Sequence, residues 1–187
     1  MEHALDKIYD IIENHEISLT EDDVLGFLQM HRRWPLKYMW GQPSLEIVPE
    51  FTDNHFTTVV DFFDFKGQFL YDRWKRCYDA GFTTIMSNVL DLTPQLRELS
   101  EKLFPYMGEN VNGNFYFSPG TTNRRVSFPP HEHDYNVIVK PIYGNSTWQI
   151  NGEVFENSTE SFIIPVGASH SVSECSSKKL SLTLNII

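Results

Sequence analysis

The chain has 187 residues with 41% hydrophobic and 14% aromatic content, enough to bury one good core and little beyond it. Its formal net charge of -10 gives a surface field that repels phosphate backbones and anionic lipid, so nucleic acid and membrane surfaces are not expected partners. Cys77 and Cys175 stand far apart without CxxC spacing, which excludes a disulfide framework and a thiolate zinc site. The start MEHALDKIYD has no signal-peptide character and no apolar run reaches membrane-spanning length, so a soluble, cytoplasmic protein is expected.

From the beginning, Leu5, Ile8, Ile11 and Ile12 recur at helical spacing and predict an amphipathic helix over residues 3 to 14. Thr20 followed by Glu21-Asp22-Asp23 is an N-cap with acids in the first turn, and Val24, Leu25, Phe27 and Leu28 give a second helix its buried face. His15 and His31 read as exposed or half-buried polar residues of these helices. The segment Trp34 to Phe51 is broken by prolines and predicts an irregular stretch whose Trp34, Tyr38 and Trp40 pack it onto the domain.

Phe56 to Phe65 mixes β-branched and aromatic residues and predicts a strand. Phe69, Leu70, Trp74 and Tyr78 return to helical spacing with Gly81 as the C-cap, and Thr83 to Val89 reads as a short strand. Thr93-Pro94 opens a helix lined by Leu96, Leu99, Leu103 and Phe104. After a turn at Asn112-Gly113 come a strand Asn114 to Phe117 and a polar loop to Arg125. Beyond Trp148, Asn151-Gly152 marks a two-residue hairpin, Phe162 to Ile164 a buried strand, and Leu180 to Ile186 a final alternating strand with Lys178-Lys179 just outside it. Short strands joined by strong turns predict an antiparallel β barrel or sandwich.

The chemistry is concentrated in PPHEHDYNVIVKPIYGNSTW. On a strand, alternation puts His131 and His133 on one face and Glu132 on the other. His170, in PVGASH, follows His133 by 37 residues, with Pro165 and Gly167 shaping a tight approach. Three imidazoles can hold one metal and leave coordination positions open.

The pair His131-x-His133 followed by Pro165-x-Gly167-x-x-His170 resembles the two motifs of the cupin superfamily, with Gly144 where the first motif closes. The positions allowed to that motif's glutamate hold Val137 and Ile138. The wider order is similar to JmjC-type oxygenases over roughly residues 56–187, closest to the ribosomal-oxygenase and asparaginyl-hydroxylase branch. It runs through Gly81-Phe82-Thr83-Thr84, a Pro94-led helix, Asn114-Phe115-Tyr116-Phe117-Ser118-Pro119, the histidines, Trp148 and Leu182-Thr183-Leu184-Asn185.

The resemblance implies a mainly β fold with N-terminal helices. Residues 1–55 would form a helical extension packed on a double-stranded β-helix (cupin or jelly-roll) barrel of residues 56–187. It also implies Fe(II), 2-oxoglutarate and dioxygen, His131 and His170 as metal ligands, and Tyr116 and Asn185 in the cosubstrate pocket with Asn114 and Thr183 behind them. The family's acidic second ligand is replaced here by His133, and the cation it uses for the distal carboxylate is replaced by Ser146, which donates a hydrogen bond but no charge. Lys140 and Arg124-Arg125 are the candidates for that cation, with strand parity facing Lys140 away from His131. Two other readings stay open: a three-histidine cupin enzyme whose substrate itself chelates the metal, and a non-catalytic cupin binding module. The expected substrate is a small molecule, a peptide or a protein, and the oligomeric state is open.

Overall fold

The computed structural model describes residues 2–30, 45–48, 62–108, 111–120, 128–157, 159–175 and 177–187. Two helices open the chain, α1 (Glu2–Asn14) and α2 (Glu21–Met30), followed by strand β1 (Leu45–Val48), helix α3 (Tyr71–Asp79), strand β2 (Thr83–Ser87) and helix α4 (Pro94–Met107). Eight strands then follow: β3 (Gly113–Ser118), β4 (Phe128–His131), β5 (Asn136–Tyr143), β6 (Ser146–Ile150), β7 (Glu153–Asn157), β8 (Phe162–Ile164), β9 (His170–Glu174) and β10 (Lys179–Ile186).

The strands form two antiparallel sheets, ordered β1-β2-β3-β10-β5-β8 and β4-β9-β6-β7. Taking the last eight strands alone, first, last, third and sixth make one sheet, while second, seventh, fourth and fifth make the other. This alternation is the double-stranded β-helix, a jelly roll in which the chain crosses between sheets at each turn. The fold is therefore the expected cupin-type barrel.

The larger sheet is buried on both faces, and its alternation decides what each face meets. Leu180, Leu182 and Leu184 of β10 point outward with Phe115, Phe117, Ile138 and Met86 onto the helices, where they meet Ile8, Ile12, Val24, Leu28, Trp74, Leu96, Leu99 and Leu103. A second cluster fills the barrel interior: Ile85, Val137, Val139, Trp148, Ile164, Ala168, Val172 and Cys175. On the helical side, Tyr78, Trp74 and Phe117 stack with centroids 4.7 to 6.3 Å apart, and the Trp74 indole N–H donates to Thr84 Oγ1 at 2.9 Å. Thr93 caps α4 by accepting from the Leu96 amide, and Gly81 follows α3 with φ +95°.

Helix α1 is tied to the barrel by polar contacts. Lys140 Nζ donates to the Glu13 carbonyl at 3.0 Å, the Ser161 amide donates to Glu13 Oε2 at 2.9 Å, and Tyr9 donates to the Ser161 carbonyl at 2.7 Å. His15 is buried, not exposed or half-buried as expected, because it bridges α1 to α4 through contacts with the Gln95 carbonyl at 2.8 Å and Lys102 Nζ at 3.4 Å.

Other expectations need adjustment. Phe104 is 56% exposed because the buried stripe of α4 consists of Leu96, Leu99 and Leu103. Of the strand expected at Phe56 to Phe65, residues 56–61 lie outside the described residues, and Phe63 makes a single bridge to Phe69. His31, Trp34, Tyr38, Trp40 and Arg124-Arg125 also lie outside them. Among the described residues no helix is long and apolar enough to cross a membrane.

Candidate metal centre and its cavity

Strands β4 and β9 are antiparallel neighbours, and their register sets His131 directly opposite His170 with ring centroids 4.1 Å apart. His133 reaches the same place by a different route from the expected strand alternation. Strand β4 ends at His131, so His133 sits in the bend where the chain passes from the smaller sheet to the larger. Its carbonyl accepts the Gly167 amide at 2.9 Å, and its ring stacks on Tyr135 at 4.8 Å, which together hold it toward the pair. The second motif thus clamps the first: Gly167 precedes His170 by three residues, and Val166 N–H also donates to Asn136 Oδ1 at 3.2 Å. Asn151, at the hairpin tip, brackets Ser169 from the other side by accepting its amide and donating to its carbonyl.

One ligand nitrogen from each of His131, His133 and His170 lies within 4.8 Å of the others. Three nitrogens grouped in this way could hold one divalent metal, whose bonds to imidazole are ~2.0–2.1 Å. The chemistry of the donors fits as well. His170 Nδ1 donates to the Ala168 carbonyl at 2.9 Å, which fixes the tautomer and leaves Nε2 as the lone pair facing the cavity. Burial is the main cause that pushes His170 down to about 4, opposed by the Ala168 carbonyl and reinforced by the other two rings. Burial also lowers His133, followed by the neighbouring His131, with Asp134 pulling the other way. Both shifts favour the neutral imidazole, the form that binds metal.

The triad closes one end of a cavity of about 640 Å³, counting the part open to solvent, that continues into the barrel. Its floor and walls include Thr83, Tyr116, Trp148, Cys175, Lys179, Ser181, Thr183 and Asn185. Tyr116, Thr183 and Asn185, expected from resemblance, lie in this lining with the triad. Asn114 is buried beside Thr183 on the neighbouring strand but is not part of the lining. Ser146 is buried and accepts the Trp148 indole N–H at 2.8 Å, so it holds the wall in place without lining it. Lys140 faces the opposite side of the sheet, toward Glu13, and is no part of the cavity.

The residue that the sequence reading passed over is Lys179. It is the first residue of β10, not a charge outside it, and alternation sends it inward with Ser181, Thr183 and Asn185. It is only 5% exposed, its ammonium lies 5.2 Å from the centre of the Trp148 ring, and it donates to the Cys175 sulfur. Burial pushes its pKa down, with Cys175 opposing. Among the described residues, no Asp, Glu or Arg lines the cavity. Ser181 Oγ and Thr83 Oγ1, in the same lining, are buried without a hydrogen-bond partner. Trp148, whose ring the ammonium faces, pairs with Val172, two residues along β9 from His170.

Fold and site together define a cupin-type barrel with a three-histidine group able to hold a metal. No family model and no curated protein matches the sequence. Among solved structures, the chain is similar to salicylate 1,2-dioxygenase from Pseudoaminobacter salicylatoxidans with bound gentisate, at 14% identity and TM-score 0.34, over 41% of this chain and 20% of that one. It is also similar to the DMSP lyase DddQ from Ruegeria pomeroyi, at 15% identity and TM-score 0.36, over 41% and 38% of the two chains. The plu4264 protein from Photorhabdus luminescens aligns at 27% identity and TM-score 0.36, over 46% and 71%. The aligned part thus spans only a fifth of the dioxygenase.

Proposed function

We propose that the chain is a metal-dependent oxygenase of the JmjC-like cupin type, in which His131, His133 and His170 hold Fe(II) and 2-oxoglutarate serves as cosubstrate. The observation that carries this reading is the presence, in one cavity, of a three-imidazole group and of a buried ammonium, Lys179, whose partner is the weak acceptor Cys175. A buried ammonium held by so weak an acceptor is costly unless an anion joins it. A ligand with a chelating 2-oxo acid at one end and a carboxylate at the other satisfies both ends at once.

Bound at the triad, the metal would supply dioxygen activation and oxidation of a substrate C–H bond. The chain's own residues supply the rest. Lys179 pairs with the distal carboxylate, and Ser181 and Thr83 donate their unpartnered hydroxyls to its oxygens. Trp148, fixed by Ser146, together with Val137, Val139 and Ile164 forms a dry wall that sharpens these interactions. The charge that the family places two residues before its tryptophan is supplied here from β10. The substrate, a small molecule or a peptide or protein side chain, approaches from the triad end, where Glu132 and Asp134 are exposed. Their charge favours a basic target.

A second reading keeps the metal and drops 2-oxoglutarate, with a carboxylate-bearing substrate as the direct chelator; His133 in place of an acidic ligand favours it. The deciding experiment is an anaerobic titration of the Fe(II)-loaded protein with 2-oxoglutarate, followed by the visible metal-to-ligand charge-transfer band. The proposal expects a band in the parent, none in His131→Ala, and a midpoint shifted to higher 2-oxoglutarate in Lys179→Met. Iron binding with no band in the parent would overturn the 2-oxoglutarate reading and favour the second.

A further inference from the structure

Cys175 occupies an unusual place in this cavity. It follows β9, five residues past His170, and is 4% exposed. Its sulfur lines the same space as Lys179 and receives that residue's N–H. Around it stand Val172, Val137, Val139, Ile164 and Trp148, which give no competing charge. The unpartnered hydroxyls of Ser181 and Thr83, each 4% exposed, line the same cavity and mark that end of it as built for an anion brought from outside. The other cysteine, Cys77, lies on α3 among the core-packing residues of the helical side, away from the cavity.

We propose that Cys175 is a redox gate on this anion subsite: hydrogen peroxide oxidises its sulfur, and the oxyanion so formed pairs with Lys179 and shuts the subsite to carboxylates. The inference rests on the reading of Lys179 as the carboxylate partner. In the first step the thiol and one peroxide give the sulfenic acid and one water. A second peroxide gives the sulfinic acid and a second water. Each step takes two electrons from sulfur and breaks one O–O bond. The sulfinic acid releases its proton to solvent and remains as an anion.

A sulfinate at this position satisfies the ammonium that an external carboxylate would otherwise satisfy. The consequence runs both ways: oxidation excludes the ligand, and a bound ligand, by filling the cavity and engaging Lys179, shields the sulfur. An oxygenase that releases peroxide when turnover fails for want of a carboxylate ligand would thereby silence itself.

The test uses the full chain loaded with Mn(II) and treated with a small excess of hydrogen peroxide, with 2-oxoglutarate as probe. Peptide mass mapping is expected to find two added oxygens on Cys175 ahead of Cys77, slowed when the probe is present. The probe's affinity is expected to fall roughly 10- to 100-fold in the oxidised parent, the weight of a charged hydrogen bond. In Cys175→Ala, peroxide treatment leaves the variant's own affinity where it started. Oxidation of Cys77 with Cys175 intact, or oxidation of Cys175 with unchanged affinity, would overturn the gate.

Thermal melts keep the inference testable if the reduced parent binds no probe, a result that would sink the 2-oxoglutarate reading by itself. With Lys179 present the sulfinate is paired, so oxidation should leave the parent's melting point nearly unchanged. In Lys179→Met the same oxidation buries an unpaired anion and should lower it sharply. Equal loss in both proteins would refute the pairing.

Discussion

Replacing Lys179 with methionine should stabilise the ligand-free protein while disabling its ligand site. Lys179 is 5% exposed, its ammonium sits against the Trp148 ring, and among the described residues no carboxylate lines its cavity. Its partner, the Cys175 sulfur, is a weak acceptor. Even well-paired buried charges are often matched or bettered by hydrophobic residues of similar volume, by about 1–4 kcal/mol. Methionine keeps the length and flexibility of the lysine stem, so no large cavity results. For a chain of this size a gain of ~2 kcal/mol raises the melting point by roughly 4–8 °C. The assay is a thermal or urea melt in chloride buffer free of carboxylates and phosphate. Because burial lowers the Lys179 pKa below its ordinary 10.5, the unfolded chain binds more protons than the folded one between the two values. The parent should therefore gain stability relative to Lys179→Met as the pH rises through that window. A substantial loss of stability in Lys179→Met would refute the reasoning, because it would mean that the ammonium is already satisfied by the protein itself.

Other expectations follow from the same structure. His170 is held at about 4 against an ordinary 6.5, so the metal-free protein keeps this residue's contribution above pH 6.5 and loses it as the pH falls toward 4. Allowing for solvent at the cavity mouth, the loss is about 2–3 kcal/mol, and urea melts across that range should show it in the parent and not in His170→Gln. Gly144, with φ +80°, turns β5 into β6 where an added Cβ would lie 2.0 Å from the Lys178 carbonyl oxygen. Gly144→Ala must push the start of β10 away, and an expected cost above ~2 kcal/mol should come with weakened 2-oxoglutarate binding through displaced Lys179. Thr84→Val removes the acceptor of the buried Trp74 N–H and should cost about 1–3 kcal/mol in a denaturation midpoint while leaving metal affinity unchanged.

Much of this was legible in the sequence because strand periodicity and ligand spacing are local signals. The alternation of Leu180, Leu182 and Leu184 and the Asn151-Gly152 turn declare strands and a hairpin without any tertiary knowledge. The three histidines stand out for the same reason, although His133 joins them from a bend whose clamp by Gly167 only the fold reveals. Lys179 was hidden by a default that fails in this architecture. A lysine beside an alternating strand usually meets water, so Lys178-Lys179 read as charges just outside it, and only the resemblance places Thr183 and Asn185 in the pocket. Here the helices take the leucine face, and the polar face turns into the barrel. The signal was present in four polar residues on one side of a strand buried on both. Reading it required knowing that the helices cover the outside.

The most direct measurement compares the affinity of the Mn(II)-loaded protein for 2-oxoglutarate with its affinity for pyruvate, which carries the same chelating end but no distal carboxylate, in the parent and in Lys179→Met. The parent should prefer 2-oxoglutarate by roughly 10- to 100-fold, and the variant should not distinguish the two. Equal affinities in the parent, or a preference that survives the loss of Lys179, would contradict a single cavity with a metal at one end and a carboxylate partner at the other.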